Sequence, residues 1–501
     1  MSAETKTVRA LVAGGKGPAL GQPGRPDLDY AALTATIDAA GRALAGLGIR
    51  PGVPVAIVLP NGPEMAAVFL AVASHAVAAP LNPAYTEDEF AFYMEDLGAK
   101  LLLVLQGNDT PARAAAARLG IPVVEAVPGE AAGSFTLAGA PEGTATLNSE
   151  GDVALVLHTS GTTSRPKIVP LTSKNVTTSA RSIAATLHLT ADDRCLNIMP
   201  LFHIHGLIAA VLSSMSAGAA ISCAPGFDAL KFFGQLEEVN PTWYTAVPTM
   251  HQAILLRAKR NADIIGKARF RFIRSSSASL PVPVLRELEE TFGCPVIEAY
   301  GMTEASHQMA SNQLPPGKRK PGSVGMAAGP EVAIMGEDGA ILPHGQIGEI
   351  VIRGDNVTLG YQNNPKANAD NWTNGWFRTG DQGEMDEDGF LTIKGRLKEI
   401  INRGGEKVSP REVDDVLMEH PAIAQVVTFA MPHRMLGEDV AAAVVLAEGH
   451  SVTERDIRDF AAKSLAAFKV PGKVLIVDEI PKGATGKLQR IGLAEKLGLS
   501  A

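Results

Sequence analysis

The stretch from Thr159 to Lys167 gathers Thr159, Ser160, Gly161, Thr162, Thr163 and Lys167 directly behind the apolar run Val153–Leu157. A buried strand followed by such a loop suits a phosphate chain. Glycine lets backbone N–H groups approach an anion, hydroxyls donate further bonds and lysine adds a point charge. The spacing is not that of a Walker A loop, and the same holds for Gly483-Ala484-Thr485-Gly486-Lys487. A Ser/Thr-rich turn is the plain alternative for this stretch alone.

Four more segments carry usable chemistry. Tyr300-Gly301-Met302-Thr303-Glu304 offers a ring to stack on a base, a hydroxyl for phosphate and a carboxylate for Mg2+. Thr379-Gly380-Asp381 offers a carboxylate to a ribose diol. Gly395-Arg396-Leu397-Lys398 sets two cations at a change in sequence style, and Lys487 follows a glycine turn. Each has an ordinary structural reading: a core tyrosine, a hairpin turn, a surface lysine.

Positioning these residues requires strands that end near one another. Residues 30–150 alternate helical and strand patterns: a helix over Tyr30–Leu47, a strand over Val53–Leu59, a helix over Pro63–Ala76 and a strand over Leu101–Leu105. The alternation resumes from 152 to about 330, with strands expected at Ile221–Cys223, Trp243–Val247, Phe270–Ile273 and Val296–Tyr300. Such βα repeats predict open, mainly parallel sheets covered by helices, with ligands at the carboxyl ends of strands. From about 331, hairpin signals mark a small β unit. Beyond Arg396 a short α+β segment follows, with 14 Lys/Arg against 15 Asp/Glu. Its last 40 positions hold seven basic residues, which fit a solvated face or an anion-facing one.

Bulk properties narrow the class. The chain has 501 residues, 46% hydrophobic and 20% charged, and a net charge of −8. That length calls for several folding units, and the acidity and lack of basic–aromatic interleaving argue against a nucleic-acid partner. Cys195, Cys223 and Cys294 follow no metal-ligand spacing and suit buried thiols in a reducing compartment. Neither a signal-like leader nor a membrane-spanning run is legible, so a cytoplasmic location is expected.

Taken in order, the five segments make the chain resemble the adenylate-forming superfamily of acyl-CoA synthetases, adenylation domains and luciferases, over nearly its whole length. The resemblance implies an α/β fold. It has a large N-terminal domain (1–396) of stacked αβ-sheet subdomains plus a small β unit, and a small mobile α+β C-terminal domain (397–501). It implies ATP and CoA as co-substrates and Mg2+ as cofactor. A carboxylate attacks the α-phosphorus of ATP, the small domain rotates, and a thiol then takes the acyl group.

Carried over by motif, Thr159 to Thr163 and Lys167 hold the phosphates, while Thr159 and Glu304 are linked to Mg2+. Glu298, Tyr300 and Thr303 serve the nucleotide, with Tyr300 on adenine, and Asp381 and Arg396 bind ribose. Lys487 stabilises the adenylation transition state. His203 gates the passage between the ATP and acyl pockets, Lys398 matches the hinge, and Gly404 and Gly405 match the stretch that nears CoA. Relatives usually have glycine where this chain has Ser164.

Two departures bear on the acid. The usual Ser-Gly-Ala-Ala-Pro-Leu stands here as Ser275-Ser276-Ser277-Ala278-Ser279-Leu280, and His307 follows Thr303-Glu304 where a small residue is common. With His203 and His205 these hydroxyls and imidazoles describe a small, polar, anion-friendly pocket built on Ser276, Ser277 and His307. The segments Arg274–Leu280, Thr303–Ser311 and Trp243–Thr249 look most like oxalyl-CoA synthetases of plants and fungi. Oxalate is therefore the expected acid. Malonate, medium-chain or aromatic acids stay open, as do carrier-protein loading, a non-catalytic relative, and a monomer or homodimer.

Overall fold

The computed structural model describes residues 6–159, 166–481 and 488–499. Two large sheets form the bulk. The first joins seven strands, with Pro54–Val58 between Val77–Pro80 and Leu101–Leu105, all three parallel. Its far edge is Val153–Thr159 paired antiparallel with Lys167–Thr172. The second joins nine strands, in which Arg194–Asn197, Trp243–Ala246, Phe272–Ser275 and Val296–Met302 run parallel in that order. Strand Val296–Met302 then pairs antiparallel with His307–Ser311.

The helix Pro63–His75 is buried on every face and contacts strands of both sheets. Its composition explains this: alanine, valine, leucine, methionine and phenylalanine surround the axis, so no side is left for water. It starts with Pro63 in the first turn, where the missing N–H has no intrahelical partner to lose.

A five-stranded antiparallel unit follows, from Glu331–Met335 through Ile347–Arg353 and Trp376–Met385 to Leu391–Arg396. After Arg396 the chain enters a different sheet, Ile401–Arg403, Glu406–Val408, Ile423–His433, Gly437–Leu446 and Lys473–Ile476, packed with helices Pro410–Leu417 and Glu454–Ala461. The architecture is α/β throughout the large part and α+β in the small one, as expected.

One element differs from the sequence expectation, and two more had no expectation at all. The strand expected at Phe270–Ile273 runs instead over Phe272–Ser275, all four residues buried, which takes Arg274 out of a loop and into the sheet. Lys167–Thr172 is a strand despite Pro170, because it lies at the sheet edge, where a missing N–H costs no ladder bond. His205–Leu212 winds as a π-helix, a form often found at functional sites. Among the described residues no helix is long and apolar enough to cross a membrane.

Candidate active site

Three groups of side chains meet around the hairpin formed by Val296–Met302 and His307–Ser311. The first group suits a nucleoside. The Tyr300 hydroxyl donates to Asp381 Oδ2, and Arg396 Nε lies 3.3 Å from Asp381 Oδ1. Asp381 and Arg396 are cross-strand partners, so the sheet itself sets this pair. Gly380 supplies a positive φ of 74°, and the Thr379 hydroxyl accepts from the Asp381 N–H at 3.1 Å. Burial raises the Asp381 carboxyl, while Arg396 opposes that rise.

The second group suits a metal–phosphate. Thr159 and Lys167 are opposite each other on their two strands, at the mouth of the loop. The Lys167 ammonium sits 4.4 Å from the centre of the Tyr361 ring, and the Tyr361 hydroxyl donates to Glu304 Oε1 at 2.8 Å. Burial pushes the Glu304 carboxyl up; the Tyr361 bond, Lys167 and Arg396 pull it back. Burial lowers Lys167, with Glu304 acting against it. Arg396 and Glu304 thus sense each other, which joins the first two groups into one site. Among the described residues no cluster of three or more His, Cys, Asp or Glu could hold a metal. Mg2+ does not require one, since it takes one or two carboxylates and completes its shell with water and phosphate oxygens. Buried Glu304 and the Thr159 hydroxyl, whose cross-strand partner Lys167 acts on Glu304, supply hard oxygens of that kind.

The third group suits an acid. His205 contacts Ser277 Oγ through Nδ1 at 3.0 Å and Thr245 Oγ1 through Nε2 at 2.6 Å. The His205 and His307 rings lie 4.9 Å apart. His203 Nδ1 accepts from the His205 N–H at 3.2 Å, which orients the first imidazole at the start of the π-helix. The Ser276 hydroxyl donates to Ala299 O at 2.8 Å. Ser277, Ser306 and His307 have φ of 73°, 49° and 92°. Non-glycine residues held there cost about 1–3 kcal/mol each and concentrate at functional sites.

Other expected residues stand apart. Glu298 is buried and accepts from the Gly322 N–H at 3.2 Å; burial lifts its carboxyl to about 8, partly offset by that bond and by Arg411. Strand alternation puts it on the same face as Tyr300. Thr303 opens the short turn that carries Glu304. Lys398 follows the last strand of the β unit and contributes to lowering Lys167. Gly404 and Gly405 form the turn between Ile401–Arg403 and Glu406–Val408, with φ of 60° and 99° and hydrogen bonds to Leu436 O and Asn402 Oδ1. Two successive positive φ values are what a tight hairpin turn asks of its central residues. Ser160, Gly161, Thr162, Thr163, Ser164 and Lys487 lie outside the described residues.

Known proteins match this chain over most of its length. Residues 8–362 match the AMP-binding enzyme family, and residues 412–487 match the AMP-binding enzyme C-terminal domain. The chain belongs to the AMP-binding enzyme family. Within that family it is 49% identical over 483 residues to an oxalate–CoA ligase of Arabidopsis thaliana, covering 94% of each chain. It is 43% identical over 479 residues to an oxalate–CoA ligase of Saccharomyces cerevisiae, covering 89% of this chain and 87% of the relative. Among solved AMP-binding enzymes, ATP-bound MatB from Rhodopseudomonas palustris superposes with a TM-score of 0.89 at 30% identity, covering 98% of this chain and 99% of MatB.

Sequence reasoning missed three residues of this family member's site: Tyr361, Arg274 and Arg411. Tyr361 carries no local motif and reaches Glu304 only through the fold. Arg411 belongs to the small unit yet acts on both Glu298 and Asp381. Arg274 was detectable: an arginine inside a central parallel strand breaks the apolar run that such strands otherwise need.

Proposed function

We propose that the protein joins oxalate to CoA at the expense of ATP, through an oxalyl-adenylate, in the cytoplasm. The observation that carries this reading is the acid group itself. His205, Ser277 and His307 offer donors and a tight polar surface where a fatty or aromatic acid would need apolar walls. The similarity to relatives named oxalate–CoA ligases supports the same acid.

In this reading one oxalate carboxylate attacks the α-phosphorus of ATP and pyrophosphate leaves. The CoA sulfur then attacks the acyl carbon, the C–S bond forms and AMP leaves with the electron pair. Bound with ATP, Mg2+ would lessen the repulsion between a carboxylate and a triphosphate. Thr159 and Glu304 would hold it. Thr159–Thr163 and Lys167 grip the phosphates, Thr303 assists them, and Lys487 stabilises the charge that develops at the α-phosphorus. Tyr300 lies against adenine while its hydroxyl steadies Asp381, which together with Arg396 takes the ribose; Glu298 supports the nucleotide pocket from below. His203 gates the passage to the acid, which Ser276, Ser277 and His307 surround. Residues 1–396 form one domain and 397–501 the other, with Lys398 as hinge and Gly404–Gly405 lining the approach of CoA after rotation.

Pyrophosphate release with oxalate, measured with and without CoA, tests the scheme. Continuous release with CoA and a single burst without it is the expected result. Release that ignores CoA, or none with oxalate, contradicts it.

A further inference from the structure

Arg274 is fully buried at the middle of the second sheet, between Thr245 and Ile297 on the neighbouring strands. Its Nη1 lies 3.3 Å from His307 Nε2, 3.5 Å from His205 Nε2 and 3.5 Å from Thr245 Oγ1. Its Nη2 donates to Gln308 Oε1 at 3.2 Å, and its Nε has no partner among the described residues. None of these partners is a carboxylate. A guanidinium can only donate, so His307 accepts at Nε2 and carries its own N–H at Nδ1. The Gln308 amide is oriented in turn by bonds from Nε2 to Ala328 O at 2.9 Å and Thr186 Oγ1 at 3.3 Å, which aims its oxygen at Arg274.

Other arginines of this chain, all more exposed than Arg274, are paired with carboxylates. Arg271, three residues earlier, meets Asp193 at 2.9 Å. Arg490 meets Asp414 at 2.7 Å and Glu399 at 3.4 Å, and Arg403 meets Asp439 at 2.5 Å. Among the described residues no carboxylate pairs with Arg274. Burial lowers its guanidinium to about 9, so it remains a cation at neutral pH. An unpaired charge in a sheet core is costly, and a fold that retains one directly behind two imidazoles of its acid pocket has a use for the missing anion.

We propose that Arg274 is a specificity-determining positioning residue: it holds the His205 and His307 imidazoles and supplies the positive field that selects an acid bearing a second carboxylate over a monoanion. The reading rests on the acid pocket proposed above, but not on oxalate being the diacid. A bound dianion leaves one negative charge to face this field after the other carboxylate has reacted. An uncharged end group leaves the guanidinium unmatched.

The test compares oxalate with oxamate, in which an amide replaces one carboxylate at nearly the same size, by pyrophosphate release in the wild type, Arg274→Gln and Arg274→Lys. The wild type is expected to favour oxalate by about 100-fold in kcat/KM, in line with losing one buried charge contact. Arg274→Gln is expected to lose most of that preference through the oxalate KM, with oxamate changed less than about threefold and ATP binding retained. Arg274→Lys, which keeps the charge but not the fork, is expected to recover part of the preference. Equal loss for both acids in Arg274→Gln marks a structural arginine and overturns the proposal. So does a wild type that uses oxamate as well as oxalate, a result that stands even if Arg274→Gln does not fold. Should the wild type ignore oxalate but use malonate, the oxalate reading fails alone, and the malonate–malonamate pair gives the same test of Arg274.

Discussion

The two ends of the site gathered around one hairpin, Val296–Met302 and His307–Ser311, are built on opposite electrostatic plans. At the nucleotide end charges come matched: Asp381 with Arg396, and Glu304 within the influence of Lys167 and held by Tyr361. At the acid end Arg274 stands behind two imidazoles, and among the described residues no carboxylate pairs with it. The contrast separates two tasks. A nucleotide site must rest without its ligand and then exchange partners, so pre-paired groups suit it. A site that chooses among small acids gains selectivity by leaving one charge for the substrate to match, because a wrong acid then leaves a buried cation unpaired.

If that division holds, damage at one end should leave the other intact. The largest expected effect belongs to His307→Ala. Loss of an oriented donor at the acid is expected to lower oxalate turnover by about 100-fold. ATP binding, followed by displacement of a fluorescent analogue, should stay within about twofold. Equal loss of both would make His307 a structural residue. Asp381→Asn is the mirror case. It is expected to weaken AMP binding by about 10-fold, the cost of weakening a charge-assisted bond, while the ratio of oxalate to malonate rates stays unchanged. A changed ratio would show that the two ends are coupled.

Smaller effects sharpen the picture. The Tyr361 hydroxyl favours the ionised form of Glu304, so Tyr361→Phe should move the acid limb of the pH–rate profile upward and raise the Mg2+ concentration needed for half-maximal rate. An unmoved acid limb would mean that Glu304 does not govern it. Glu298 is read through stability. Its folded carboxyl lies near 8, above the ordinary value, so the folded state binds the extra proton between the ordinary value and about 8. Stability therefore falls as pH rises through that window. Glu298→Gln should flatten the dependence and raise the melting temperature at pH 9 by about 2–4 °C relative to the parent. A parallel pair of melting curves would contradict this.

How much of this was legible in the sequence follows physical lines. Tyr300, Glu304 and Asp381 sit on short runs whose glycines and hydroxyls announce a turn, and the fold brings the three together as expected. The alternating apolar segments read correctly as sheets because burial on both faces leaves long uninterrupted runs, such as Leu101–Leu105. Arg274 was missed, although detectable, because the strand was placed two residues early and so ended before it. Strand Lys167–Thr172 was hidden by Pro170, whose tolerance depends on an edge position that only the topology reveals. Tyr361 and Arg411 were hidden because their partners lie far away in the chain. For these two, the lack of a local motif, not weakness of interaction, set what could be read.

The central claim is that this pocket takes the shortest dicarboxylate. A single reaction holding equimolar oxalate, malonate, acetate, octanoate and coumarate with limiting CoA, analysed by mass for the thioesters formed, tests it directly. The account predicts oxalyl-CoA as the dominant product. Octanoyl-CoA or coumaroyl-CoA in its place would contradict it.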